Sequence, residues 1–365
     1  MCSSSSQERG AVLLLVKLLG GGTIWRMKLC THAYNDIISV ENLLCAWGEF
    51  ERGKGKKQDV MEYKRYMMTN ILNLHVELKD KTYKHGSYKH FIICDPKRRD
   101  IHKASVRDRL VHHAVYRILY PFFDTIFITD SYSCRVGKGT HRAIQQFEVY
   151  TRKVSKNYTK QCYILKCDIR KFFASIDHSI LLHILEKRIQ DEEVLELLRN
   201  IIGSFPKGLP LGNLTSQLLV NIYMNEFDQY VKHILKVKYY IRYADDFVFI
   251  HNDKEYLEGI ISCHNVATLR HLRGQAARKV EDFLTHRLKL TLHPNKVFIT
   301  TIYAGMDFLG WIHFPHHRVL RAATKKRVLR KVSEKNMTSY LGLLRHGGAY
   351  TLQDSILKDL STPTN

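Results

Sequence analysis

Apolar residues recur at helical spacing along 60–78, at Met61, Tyr66, Met67, Ile71, Leu74 and Leu78, and predict a helix behind a basic, glycine-containing loop at 52–57. A short run at 90–94 predicts a strand that leads into a positively charged turn at 95–99. Val106, Leu110, Val111, Val115, Ile118 and Leu119 define the inner face of a helix over 105–120, with Pro121 expected to end it. The stretch 162–169 reads as a buried strand terminating at Asp168, and Asp177 as the cap of a helix reaching about residue 185. A Gly/Pro turn at 208–212 precedes a helix over 215–235 that carries Leu218, Leu219, Ile222, Phe227 and Val231 inward. Aromatic and β-branched residues over 239–250 predict a hairpin with Asp245 and Asp246 at or near its turn. Residues 280–290 read as helix, 291–301 as extended chain, 307–314 as a strand, and a basic helix starts near Ala322. There is no internal repeat, and strands and helices alternate without a βαβ rhythm, so the class is α+β rather than a doubly wound sheet.

Charge narrows the partners. Fifty-seven Lys and Arg against 35 Asp and Glu give a formal net charge of +22, and the bases cluster at 54–57, 97–99 and 325–331. Such an excess favours polyanions, nucleic acid before anionic membrane surfaces. The eight cysteines form no CxxC pair and read as reduced thiols of a cytoplasmic protein, in preference to a zinc site built from Cys162, Cys167 and a histidine. The pairs His112-His113 and His316-His317 are read as surface or RNA-facing side chains. The apolar segment 11–19, interrupted by Lys17, is too short to span a bilayer. A secretory signal is the competing reading. Residues 1–26 are instead expected to be a disordered extension, with Met27 opening the folded protein.

The chemistry lies in three aspartates. Adjacent acids at the tip of an apolar hairpin need neutralising, and a divalent metal does this most directly. Asp168 at the end of its own apolar strand supplies a third carboxylate if that strand pairs beside the hairpin. Three acids can hold two Mg²⁺ ions, one to activate a 3′ hydroxyl and one to carry a triphosphate and its leaving group. Taken singly, an aspartate at a strand end is most often a helix cap or turn residue; the aromatic framing of all three favours the metal reading.

From about Tyr63 to Arg321 the chain resembles the reverse transcriptases. The motifs are Asp95-Pro96-Lys97-Arg98-Arg99-Asp100-Ile101, Arg107-Asp108-Arg109, Ser131-Tyr132-Ser133-Cys134-Arg135 with Gly137-Lys138-Gly139, the Asp168 strand, Tyr243-Ala244-Asp245-Asp246, and Gly305-Met306-Asp307-Phe308-Leu309-Gly310-Trp311. The resemblance implies a right-hand polymerase fold: an N-terminal region and fingers over 27–160, an antiparallel-sheet palm over 161–315, and a short helical, basic thumb over 316–365. It implies an RNA-directed DNA polymerase with Asp168, Asp245 and Asp246 as catalytic, metal-binding acids, Asp246 being the least secure as a direct ligand, and with the Ile169 backbone carbonyl as a further ligand. The metal is Mg²⁺, two ions, with Mn²⁺ as a substitute. Lys97 and Arg99 would close on the triphosphate, although a solvated basic turn accounts for either one alone. Phe173 would exclude a 2′ hydroxyl by sterics, with Phe172 the core neighbour, and Lys296 matches a later lysine near the active site. Leu211, Gly212 and Gln217 would shape the nucleotide pocket. Arg135, Gly137, Tyr243, Phe308, Leu309 and Gly310 would meet template and primer. Partners would be a structured template RNA, the cDNA/RNA duplex, deoxynucleoside triphosphates and a small basic accessory protein, with no membrane.

Within that family, Leu211 and Ser216-Gln217 resemble the enzymes of diversity-generating retroelements, where other branches usually carry Gln before this glycine and Ser-Pro at the end. A leucine offers none of a glutamine's amide hydrogen bonds, so alignment of the nucleotide should loosen and copying become error-prone, chiefly opposite adenine. Ala244 is instead common among group II intron enzymes. The stretch 260–278 looks longer than the family pattern and reads as a solvated helical excursion in preference to an RNA-contacting insertion. About 50 residues follow Gly310, which leaves room for a short thumb but not for a maturase domain plus endonuclease, and shows no ribonuclease H domain. The alternatives are therefore a group II intron-like or phage-defence reverse transcriptase and, outside enzymes, an RNA-binding scaffold with a polymerase fold.

Overall fold

In the computed structural model the chain separates into two units, each assembled from three stretches of sequence: Met1–Thr129, Arg170–Tyr230 and Asp282–Thr291 in the first, and Asp130–Ile169, Val231–Glu281 and Leu292–Asn365 in the second. The structure describes residues 11–16, 25–94, 98–261, 280–333, 336–344, 347 and 354. Lys97 and most of the 260–278 stretch therefore lie outside the described residues. The mixture of helices with antiparallel sheets is the expected α+β class.

The first unit is mainly helical. Strand β1 (Ala11–Val16), within the segment expected to be an extension, pairs antiparallel with β2 (Trp25–Cys30). Helix Val106–Asp124 is the unit's spine and packs against helices Val40–Glu51 and Leu214–Gln229. Its start is fixed by Ser105, whose hydroxyl accepts from the Asp108 amide at 3.1 Å. Pro121 does not end it. A proline costs one backbone hydrogen bond, but buried Phe123 and the Tyr120 hydroxyl, which donates to Asp124 Oδ1 at 3.0 Å, hold one more turn beyond the ring. The helix expected over 60–78 is two helices, Gln58–Arg65 and Met67–Lys79, separated at Tyr66, where φ is −121° and ψ is 33°.

His112 is not a surface side chain. It points into the unit's core and stacks on His85, and burial drives its pKa down to about 3. Its neighbour His113 packs edge-on against Phe50. Strands β3 (Lys89–Ile93) and β4 (Arg99–Lys103) form an antiparallel hairpin with an exposed β3. Helix His178–Glu186 is capped as expected by Asp177, which accepts from the Ile180 amide at 3.1 Å.

The second unit is built on a four-stranded sheet of β5 (Tyr163–Asp168), β6 (Tyr240–Tyr243), β7 (Asp246–His251) and β8 (Phe298–Thr301), in the order β6-β7-β5-β8 with every pair antiparallel. Ile164, Ile241, Val248 and Ile250 project to one face, where Ala143 and Phe147 of helix Thr140–Val154 cover them. Cys162 and Cys167 are buried free thiols at and in β5, and burial pushes the first up to about 12. The strand expected over 307–314 is two strands, β9 (Met306–Phe308) and β10 (Trp311–His313), which turn back at Leu309-Gly310 and continue to β11 (Arg318–Leu320). Both turn residues have positive φ, 51° and 91°, the requirement of a tight hairpin turn whose twist matches its strands. The basic helix begins at Ala322 as expected and runs to Lys331. Among the described residues no helix is long and apolar enough to cross a membrane.

Candidate active site

The register of β5 and β7 sets Asp168 directly opposite Asp246. Strand side chains alternate between faces, so both carboxylates leave the sheet on the face that carries Ile164, Val248 and Ile250. Like charges directly opposite destabilise a sheet, and a lysine answers each one. Lys296 Nζ donates to Asp168 Oδ1 at 2.9 Å. Lys166 Nζ lies 3.3 Å from Asp246 Oδ2 and also donates to the Asp307 carbonyl at 2.7 Å. Burial pushes the Asp246 carboxyl up to about 6; Lys166 opposes that shift, and the Asp168 and Asp245 carboxylates add to it.

Asp245 occupies the two-residue turn between β6 and β7 together with Ala244, whose φ is +56°. A non-glycine residue there costs roughly 1–2 kcal/mol, and three contacts hold the turn. Arg242 Nη1 donates to the Ala244 carbonyl at 3.2 Å, Arg242 Nη2 donates to Ser131 Oγ at 3.0 Å, and the Ile169 amide donates to the Asp245 carbonyl at 3.1 Å. Arg242 is fully buried, and its backbone is paired as well: its amide donates to Asp130 O and its carbonyl accepts from Tyr132, both at 3.0 Å. The arginine thus works as an internal strut under the acidic turn.

Neither Lys166 nor Arg242 is singled out by the motif reading. Lys166 had a usable signal: it lies two residues before Asp168 in an otherwise apolar strand, hence on the same face. Arg242 had none, because Ser131, which its guanidinium meets besides the neighbouring Ala244, lies more than a hundred residues away.

The residues fit a cation at one point in particular. Asp246 Oδ1 is buried and makes no hydrogen bond, a position in which a carboxylate oxygen needs a counter-charge. The acids do not form a closed cage: among the described residues no three His, Cys, Asp or Glu side chains converge closely enough to hold a metal as they stand. Lysines instead take one oxygen each of Asp168 and Asp246.

The other expected site residues are divided between the two units. In the second unit Tyr243 pairs with Asp246 across the hairpin and its hydroxyl accepts from Thr140 at 3.2 Å. Arg135 donates to the Ser131 carbonyl at 3.0 Å, and Gly137 has φ +70°. Phe308 is fully buried against Phe147, while Leu309 and Gly310 form the hairpin tip beside it. In the first unit Arg99 is exposed at the start of β4, and Gly212 adopts φ +105°. Phe173 is half-buried while Phe172 is in the core, and Leu211 and Gln217 are half-buried. Gly208 lies flush on the Phe173-Ala174 backbone: a Cβ there would sit 2.3 Å from the Phe173 carbonyl oxygen, and φ is +70°.

Paired aspartates on neighbouring antiparallel strands, with a third on the adjoining turn and a basic surround, are the arrangement of a nucleic-acid polymerase palm. The family model described as "Reverse transcriptase (RNA-dependent DNA polymerase)" matches residues 82–313, and the chain belongs to that family. It is similar to protein YkfC of Escherichia coli (strain K12), 27% identical over 271 residues that cover 63% of this chain and 65% of that protein. It is also similar to the group II intron-encoded protein LtrA of Lactococcus lactis subsp. cremoris, 26% identical over 175 residues, 44% of this chain and 28% of LtrA. The chain spans less than two thirds of the length of these curated relatives. Among solved structures, telomerase from Candida albicans in complex with a fragment of telomeric RNA aligns with a TM-score of 0.45 and 13% identity, covering 83% of this chain and 60% of the other.

Proposed function

We propose that this chain is an RNA-directed DNA polymerase that extends a primer with deoxynucleotides on an RNA template. Family membership supports the reading, and the Asp168–Asp246 pair with its unsatisfied buried oxygen is the observation that carries it. Asp168, Asp245 and Asp246, with the Ile169 carbonyl, would hold two Mg²⁺ ions, or Mn²⁺ in their place. When bound, these ions supply charge neutralisation and activation of a hydroxyl nucleophile. The protein's own part is positioning: Lys166 fixes the Asp246 side chain, Arg242 and Ile169 fix the turn, and Lys296 offsets charge beside Asp168. Phe173 would exclude ribonucleotides, Lys97 and Arg99 would hold the triphosphate, and the Leu309-Gly310 tip with Arg135, Gly137 and Tyr243 would meet template and primer.

The nucleotide-side loop favours a particular kind of copying. Leu211 presents no side-chain amide, so base and sugar are held by shape more than by hydrogen bonds, which supports error-prone synthesis of the diversity-generating type with an accessory protein. The intron-encoded relatives and Ala244 support the other reading, a group II intron-like enzyme. Primer extension on a defined RNA template tests the activity itself. Asp168→Asn should lower extension by at least about a hundredfold while RNA affinity stays within a factor of a few. Extension at the wild-type rate would remove the site assignment. Leu211→Gln, read by sequencing the products, should reduce misincorporation opposite adenine if copying is of the error-prone type, and leave it unchanged in the group II intron-like case.

A further inference from the structure

One edge of β4 pairs with β3; at His102 the other edge is occupied by the loop 211–213. The His102 amide donates to the Leu211 carbonyl at 3.3 Å, and Asn213 Nδ2 donates to the His102 carbonyl at 3.3 Å. Both backbone polar groups of His102 therefore serve the loop. Between these two contacts sits Gly212, in a φ region that favours glycine, where an added Cβ would stand 3.2 Å from Ile101 Cγ2. Asn213 is 2% exposed, and while its amide nitrogen is used, its Oδ1 is buried without a hydrogen-bond partner. Such an orphan acceptor costs free energy, so the side chain is held in this position by its single donor contact to His102.

We infer that Asn213 is a positioning residue for nucleotide selection: it ties the Leu211-Gly212 turn to β4, so that the depth at which Leu211 stands is set by the strand and not by Leu211 itself. The inference rests on the reading of Leu211 as a nucleotide-contacting residue. Physically, the loop is a turn about a glycine with the β-branched Ile101 on one side, joined to β4 through the two His102 contacts. Loss of the Asn213 donor leaves the Leu211 carbonyl held by the His102 amide alone, so the turn can pivot about that one contact, and small displacements at a reacting pair are costly. A shift of this kind alters how well a correct nucleotide is held, more than how fast a held one reacts.

Single-nucleotide incorporation on the full chain tests this, with KM and kcat measured for correct and incorrect deoxynucleotides beside a thermal melt. Asn213→Ala should raise KM for the correct nucleotide about three- to tenfold and change the misincorporation ratio, with kcat within about twofold of wild type. His102→Ala should leave KM unchanged, since only the backbone of His102 makes the tie. An unchanged KM and error ratio in Asn213→Ala would overturn the inference, as would a fall in kcat alone. Should Asn213→Ala fail to fold, Asn213→Ser, which keeps a shorter donor, should give an intermediate KM; a wild-type KM there overturns it equally. Leu211→Gln separates the two levels. If it changes the error spectrum and Asn213→Ala does not, the tie is wrong and the pocket reading stands; if neither variant changes the error spectrum or the nucleotide KM, the pocket reading falls as well.

Discussion

Asp246→Asn should make the metal-free protein more stable at neutral pH while removing polymerisation. Folding raises the Asp246 carboxyl from 3.8 to about 6. At 1.36 kcal/mol per unit, this costs the ionised folded protein about 3 kcal/mol relative to the unfolded chain. A raised acid binds more protons folded than unfolded, so stability falls as pH climbs from about 4 through about 6 and is then flat. Asparagine escapes that loss and keeps an oxygen that can accept from Lys166, which also donates to the Asp307 carbonyl at 2.7 Å. The shift already contains the Lys166 attraction, so the gain is the whole of about 3 kcal/mol above pH 7, a rise of several degrees in melting temperature. At pH 5 the penalty on the wild type is about half as large, so the gain should shrink accordingly. Melts with chelator at pH 7.5 and pH 5, with primer extension at pH 7.5, are the assay. Added Mg²⁺ should then stabilise the wild type and not the variant. A variant less stable than wild type at pH 7.5, or equally stabilised at both pH values, would refute the charge-burial account.

Two further substitutions probe the supports. Gly208→Ala places a methyl on the Phe173 carbonyl and forces an unfavourable φ, so it should cost about 2–5 kcal/mol in urea unfolding and weaken discrimination against ribonucleotides; a loss under about 0.5 kcal/mol would show that the backbone yields freely. Arg242→Met removes the donor to the Ala244 carbonyl and the tie to Ser131 Oγ and should lower kcat at least tenfold with nucleotide KM little changed, measured by steady-state extension; a rise in KM with kcat intact would place the arginine in substrate binding instead.

The settings of the three acids and of the Asp177 cap were legible because their signals are local. Asp168 ends an apolar strand, Asp245 and Asp246 sit in an aromatic hairpin, and Asp177 precedes a helix as a cap; each needs only its neighbours to be recognised. What failed locally failed for a tertiary reason. Pro121 is passed by its helix because packing of Phe123 outweighs one lost hydrogen bond, and His112 is buried because helix Val106–Asp124 is covered on more of its circumference than its aliphatic stripe indicates.

By itself, then, the sequence determined the residue types, the α+β class and the strand-and-turn settings of the three acids, since alternation and turn chemistry act over a few residues. Only the tertiary structure decided which acid faces which. The antiparallel register of β5 and β7, two segments nearly eighty residues apart, pairs Asp168 with Asp246 and turns Lys166 and Lys296 into their counter-charges. It also placed a fully buried arginine beneath the turn and tied the 211–213 loop to β4. Apart from the spacing of Lys166 to Asp168 and the Arg242–Ala244 bond, those contacts join segments far apart in the chain, and no local pattern encodes them.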